Sequence, residues 1–260
     1  EPMKTWDGQG HPPSLDPEGI RRIDDSLLAL SDEYGPTIDV VDRSGMILDS
    51  IKVPEYFRLT DHLSPPRTRG TFPNRGMEGL AVARNGRILI AAMQGPLVQD
   101  GRIEKNKCLG TATRWFVFDR QSAQAQEWVY RLDDESTGVS EVLAVDDHRF
   151  LVLERDSKAG LEAKIKKIYL ADASSASDVA NIPSLGDGLP AGTNALTKRL
   201  LIDLMHPEYG LSGKSTPEKP EGLAWGPTYP DGSRLLVVCF DNDFDPSRES
   251  IIAAFRIDSL

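Results

Sequence analysis

The sequence predicts an all-β protein, a β-propeller-like array of four-stranded antiparallel blades. Three observations predict it. A unit of acid, small or apolar pair, polar turn and apolar run ending in acids recurs four times along 260 residues. Strand-length apolar runs are separated by turn signals such as Asn85-Gly86 and Asp231-Gly232. Helical periodicity is nearly absent, and only residues 17–30 could pass for a helix, a reading the repeat overrides.

Each element follows from that unit. The first copy opens at residues 16–20 and its apolar run ends at Glu33. The second opens at 76–80 and ends at Gln94, the third opens at 139–143 and ends at Asp156, and the fourth opens at 220–224 and ends at Asp243. The leading acids are Glu18, Glu78, Glu141 and Glu221. Each unit continues with further β-like stretches, at 37–53, 113–132, 166–174 and 250–260. Repeats of this length with about four strands close radially and leave few open edges. A two-sheet sandwich would explain the strands but not the fourfold repetition. Leu80, Ile88, Ile90, Leu143, Leu151, Leu153, Leu223, Leu235 and Val237 are expected to pack between sheets. Residues 173–197, rich in Ser, Asp, Gly and Pro, read as an exposed excursion of the third unit, so that 1–260 forms one domain. The first unit has no evident blade before it, so more strands are expected upstream.

Composition narrows the function classes. Thirty basic against forty acidic residues leave a net charge of −10, which disfavours a nucleic-acid binder. No apolar run approaches the ~20 residues of a membrane span. Two cysteines, Cys108 and Cys239, are too few for a disulfide scaffold and are expected as reduced thiols. The four histidines include no zinc-spaced pair, and neither G-x-S-x-G nor H-E-x-x-H occurs. Gly213-Lys-Ser215 resembles the end of a phosphate-binding loop but lacks its first glycine and reads as chance. Asp241-Asn-Asp-Phe-Asp245 has the alternating acids of a Ca²⁺ loop, yet Pro246 stands where an EF-hand needs Gly.

The acids convert into a site through blade geometry. In an antiparallel pair the start of the first strand and the end of the second lie at one sheet edge. Glu18, Glu78, Glu141 and Glu221 at the starts, with Glu33, Glu154, Asp241 and Asp243 at the ends, should therefore gather at one mouth of the channel. Gln94 breaks the set. Clustered carboxylates suit a hard cation, Ca²⁺ rather than Zn²⁺; a purely structural alternative is that they cap turns and bond backbone N–H groups. Arg75, Lys219 and Arg155 fall at the same edge and could hold an anionic substrate or simply order the loops.

Asp16-Pro-Glu-Gly, Ser31-Asp-Glu-Tyr-Gly-Pro36, Asn74-Arg-Gly-Met-Glu-Gly-Leu80, Leu151-Val-Leu-Glu-Arg-Asp156, Pro220-Glu-Gly-Leu-Ala224 and Asp241-Asn-Asp-Phe244 together resemble the phytase-like family, also called "esterase-like activity of phytase". The resemblance implies a propeller-type domain, export from a bacterial cell to the periplasm or medium, and phosphoesterase or esterase activity. Cys239-Phe240 departs from the small polar residue that commonly precedes the family's Asp-Asn motif. Three functions compete. In the first, a Ca²⁺-assisted hydrolase acts on a small anionic or ester substrate. There Glu18, Glu78, Glu141, Glu154, Glu221, Asp241 and Asp243 supply metal ligands, Arg75 and Arg155 stabilise developing charge, and Glu33 serves as general base. The second is a non-catalytic propeller that binds a small ligand or a protein partner. The third is a lactonase-like esterase with one axial Ca²⁺.

Overall fold

The computed structural model describes residues 16–33, 36–58, 68–186, 188–258 and 260. Almost half of these are strand, and none is α-helical. The first sheet runs β1 (Pro17–Arg22), β2 (Leu27–Asp32), β3 (Thr37–Asp42), β4 (Ile47–Lys52). The second holds β5 (Met77–Ala83) and β6 (Ile88–Met93). A small hairpin, β7 (Arg102–Glu104) with β8 (Lys107–Leu109), follows before β9 (Ala112–Asp119) and β10 (Gln124–Arg131) complete that sheet. The third runs β11 (Gly138–Ala144), β12 (Arg149–Arg155), β13 (Lys166–Asp172), β14 (Thr197–Asp203). The fourth shows three strands, β15 (Lys219–Thr228), β16 (Arg234–Asp241) and β17 (Ile251–Ile257). All pairings are antiparallel, and the four sheets are the blades of a propeller. Tyr34 and Gly35 of the Ser31–Pro36 motif lie outside the described residues.

The core is divided among the gaps between blades. Ile38, Met77, Leu80 and Leu89 pack between blades 1 and 2. Ile90, Trp115, Val142 and Phe150 pack between blades 2 and 3. Leu151, Ile168, Leu223, Leu236 and Phe240 pack between blades 3 and 4. Strand alternation accounts for this, because Leu89 and Ile90 on one strand serve opposite neighbours. Seven of the nine residues expected between sheets are buried. Leu235 and Val237 are only half-buried, because β16 turns Leu236, Val238 and Phe240 toward blade 3 instead. A phase error of one residue exchanges the two faces of a strand.

Aspartates build the turns. Asp42 Oδ1 accepts from the N–H groups of Ser44 at 2.8 Å and Met46 at 3.0 Å, and Asp134 and Asp231 do the same for Ser136 and Ser233. The hydroxyls of Ser44 and Ser136, with these backbone bonds, hold Asp42 and Asp134 below the ordinary carboxylate range. Gly213–Ser215 forms a single 3₁₀ turn, not the strand-to-helix junction of a phosphate-binding loop.

Residues 173–186 and 188–197 are an excursion exposed over more than half their length, as expected, yet anchored at the buried Ala173, Val179, Leu185 and Leu196. They leave blade 3 and lie as a strap along the outer edge of blade 2. Val179 N donates to Glu127 O at 2.9 Å and Leu196 N to Val129 O at 2.8 Å. Val179 and Leu185 are buried with Ala112 and Val129. Beneath the strap Arg114, fully buried, pairs with Asp100 at 2.6 Å and Glu127 at 2.8 Å, and donates to the carbonyls of Val179 and Ile182.

Arg114→Ala would leave two buried carboxylates without their cation and two strap carbonyls without a donor. Urea denaturation is expected to show a loss of about 3–5 kcal/mol. Arg87→Ala, which removes a surface pair with Asp119, is expected to leave the urea midpoint nearly unchanged.

Candidate functional site

Four β-bulges place the site. At the start of each inner strand the pairing skips one residue: Glu18 in β1, Glu78 in β5, Ser140 in β11 and Glu221 in β15. A bulged residue leaves the ladder and turns its side chain out of the pleat. The inner strands also stand very close. A Cβ on Gly19 would lie 2.5 Å from Leu80 Cβ, and one on Gly79 would lie 2.9 Å from Val142 N. At Glu18-Gly19 and Glu78-Gly79 the pair therefore does two jobs, the Gly admitting the next blade and the Glu before it facing the mouth.

The bulges bring Glu18, Glu78 and Glu221 within electrostatic reach of one another and of Glu33. One carboxylate oxygen from each of Asp16, Glu18 and Glu33 lies within 4.8 Å of the others. Although Glu18 reaches solvent, partial loss of hydration together with Glu33, Asp16 and Glu221 pushes its pKa up to about 7. Burial also raises Glu33, against a hydrogen bond from Gly76 N at 2.9 Å. Burial raises Glu78 most, with Glu18 and Glu33 adding repulsion, and its carboxyl accepts from Gln94 Nε2.

Cations face these acids. The buried Arg75 guanidinium donates to Thr137 O at 2.8 Å and feels the charges of Glu78 and Glu33. Arg155 ends β12, pairs with Glu221, and acts on Glu78 through its charge. Its Nε and the Ser140 hydroxyl are buried without a hydrogen-bond partner among the described residues. Lys219 pairs with Asp243.

Other acids read from the sequence go elsewhere. Glu141 occupies the position that glycine holds in the other blades. It is buried, pairs with Arg21 at 2.6 Å and accepts from Val142 N at 2.8 Å. Glu154 stands one residue before the strand end, so alternation points it into the blade. There it accepts from Tyr130 Oη at 2.5 Å, Asp133 N at 3.1 Å and Lys198. Asp241, by contrast, stays at the mouth edge: it pairs in register with Lys219, acts on Glu221 through its charge, and accepts from Asp243 N at 3.1 Å. Ser140 and Asp16 were missed as mouth residues. Aligning Val139 with Met77, Pro17 and Pro220 would have placed Ser140 opposite the leading glutamates. Cys108 is buried and Cys239 exposed, both free.

Fold and mouth together define a β-propeller with a charge-lined axial opening. The chain belongs to the phytase-like family, "esterase-like activity of phytase", whose profile matches residues 1–244. It is 26% identical over 252 residues to an "Uncharacterized secreted protein" of the fungus Arthroderma benhamiae, a match covering 79% of this chain and 49% of that protein. The chain thus spans about half the length of that relative. Among solved structures it is similar to hydrazine synthase of Kuenenia stuttgartiensis, at 13% identity and a TM-score of 0.37, over 96% of this chain and 66% of the other. Among the described residues no helix is long and apolar enough to cross a membrane.

The raised carboxyls set a pH dependence. Below the reference value of 4.5 they are protonated folded or unfolded. Between there and about 7, the folded chain keeps a proton on Glu18 that the unfolded chain has released, so this site lowers stability as pH rises. Thermal unfolding without added cations is expected to give a higher Tm near pH 5 than near pH 7.5. Glu18→Gln should narrow the gap by raising the value near pH 7.5, by about 2–4 °C.

Proposed function

We propose that the mouth is the active site of an exported, cation-assisted hydrolase acting on phosphate esters or other esters. The observation that carries this reading is the juxtaposition of Asp16, Glu18 and Glu33 with Arg75 and Arg155. Two oxygens held by one Ca²⁺ at about 2.4 Å can be at most about 4.8 Å apart, and the three blade-1 acids meet that limit. All three are hard oxygen donors, and burial with neighbouring carboxylates raises the pKa of Glu18 and Glu33, a strain that a cation would relieve. These residues would hold Ca²⁺, with Glu221 at the rim as a further oxygen donor. When bound, the ion would polarise the ester oxygen and lower the pKa of a water.

The remaining steps fall to this chain's own groups. Arg75 and Arg155 stabilise charge developing on the ester oxygens, a role suited to planar guanidinium donors. The free Nε of Arg155 supplies a hydrogen bond not already spent on Glu221. Glu78, whose burial favours the protonated form, offers a proton to the departing oxygen. Glu33 either accepts a proton from water or serves as a cation ligand. Calcium identity, phosphate over carboxylic ester and export all belong to this proposal; family membership and the acid cluster support it, and export follows the secreted relative.

A specific observation favours a second reading, a non-catalytic ligand-binding propeller. Arg155 with Glu221, Lys219 with Asp243, and Arg21 with Glu141 already neutralise one another.

Turnover of p-nitrophenyl phosphate and p-nitrophenyl acetate, with added Ca²⁺ and after chelation, separates the two readings. The hydrolase is expected to lose activity on chelation. Arg155→Ala should lower kcat about 10²–10³-fold while calorimetric Ca²⁺ affinity is retained. Glu18→Gln should lose both. A chain that hydrolyses neither ester with or without Ca²⁺ is the binding module.

A further inference from the structure

A cavity of about 680 Å³ opens beside the mouth, over the junction of blades 2 and 3. Its walls come from the segment before β5, strand β8, and the loops on either side of the β11–β12 hairpin. The volume falls within the roughly 300–1,000 Å³ of small-molecule sites. Phe72, Leu109 and Leu161 give it apolar walls, and Leu161 is 74% exposed. Arg75 belongs both to this cavity and to the electrostatics of the mouth, so the two spaces adjoin.

The charge balance of the cavity runs against that of the molecule. The chain carries −10 overall. The acids lining the cavity are engaged: Glu135 with Arg102 at 2.8 Å, Asp156 with Lys166 at 2.9 Å, and Glu162 with Lys158 at 3.8 Å. Lys107 and Lys164 also line it, and neither forms an ion pair among the described residues. Arg75 spends its hydrogen bond on a carbonyl, not a carboxylate. Apolar walls with surplus positive charge, in a strongly acidic protein, select an anion with an apolar body.

We infer that this cavity is the subsite for the body of the substrate, and that the substrate class is an ester of a bulky apolar organic group bearing a second negative charge. This rests on the hydrolytic reading of the mouth for the word substrate, but the cavity's preference for amphipathic anions stands on the lining alone. The reacting ester group would sit between Arg75 and Arg155. The apolar body would lie against Leu109 and Leu161, and the second anionic group near Lys107 and Lys164.

The test uses 8-anilinonaphthalene-1-sulfonate, an apolar body with one sulfonate, titrated into the folded chain and followed by fluorescence. One saturable site is expected. Leu161→Asp and Lys164→Glu should each weaken it about tenfold, as loss of one pocket contact does. Both are solvent-reached positions, and circular dichroism checks that the variants remain folded. Arg87→Ala, an exposed position outside the cavity lining, should leave the titration unchanged. The inference is overturned if no saturable site appears, if both variants bind as the parent chain does, or if uncharged Nile red binds equally well and is equally weakened by Lys164→Glu. Hydrolysis is read separately on p-nitrophenyl phosphate and 1-naphthyl phosphate. A dye site lost in both variants, with neither ester turned over, keeps the cavity and discards the hydrolase. Turnover without a dye site keeps the hydrolase and discards the cavity.

Discussion

The close approach of the inner strands around the axis is the constraint on which the rest depends. Gly19 lies against Leu80 and Gly79 against Val142, at separations no side chain tolerates. Strands this close leave no room for a side chain at Gly19 or Gly79 themselves. The one-residue bulge before each contact turns the neighbouring Glu out to the mouth instead. Tight blade packing and a crowded acid ring are thus consequences of the same local geometry. Where the third blade has Glu141 in place of glycine, the carboxylate must find its own cation, and Arg21 from blade 1 supplies it.

Two populations stand out among the described acids, set apart by what surrounds them. At the rims, Asp side chains accept N–H groups two residues on, and their pKa values fall. At the mouth, water is partly excluded and like charges meet, so pKa values rise. The same residue type therefore serves turn formation in one place and ligand or proton chemistry in the other. Sequence spacing alone does not distinguish them. What distinguishes them is burial: lost hydration raises Glu33 even though it accepts the Gly76 N–H, whereas the exposed turn aspartates keep their water and gain N–H donors.

Much of the fold was readable in the chain because strand cores repeat: apolar runs such as 88–93 and 150–153 are buried throughout. The placement of Glu18, Glu78 and Glu221 at bulges was also readable, since each is followed by glycine. The third blade was not. Its Ser140-Glu141 pair offers an acid one residue late, and period-2 alternation turns a one-residue slip into the wrong face. Glu154 fell into the same trap, and Arg155 beside it is the residue at the strand end. Leu235 and Val237 were misassigned because β16 is apolar on both sides, which removes the signal that sets its phase. Residues 173–197 gave no periodic pattern at all, because Val179 and Leu185 each fill a separate gap under the strap.

That strap has a consequence for how the molecule comes apart. Blades that touch only through neighbouring faces can open in succession, like the units of a solenoid. Here a segment of blade 3 is hydrogen-bonded along β10 and locked over a buried guanidinium that belongs to blade 2. Neither blade can be exposed without first peeling the strap and stranding Arg114 with its two acids. The second and third blades are therefore joined as one cooperative unit. The cavity above their junction thus lies between blades tied together at their rims, a shape held in advance of any ligand.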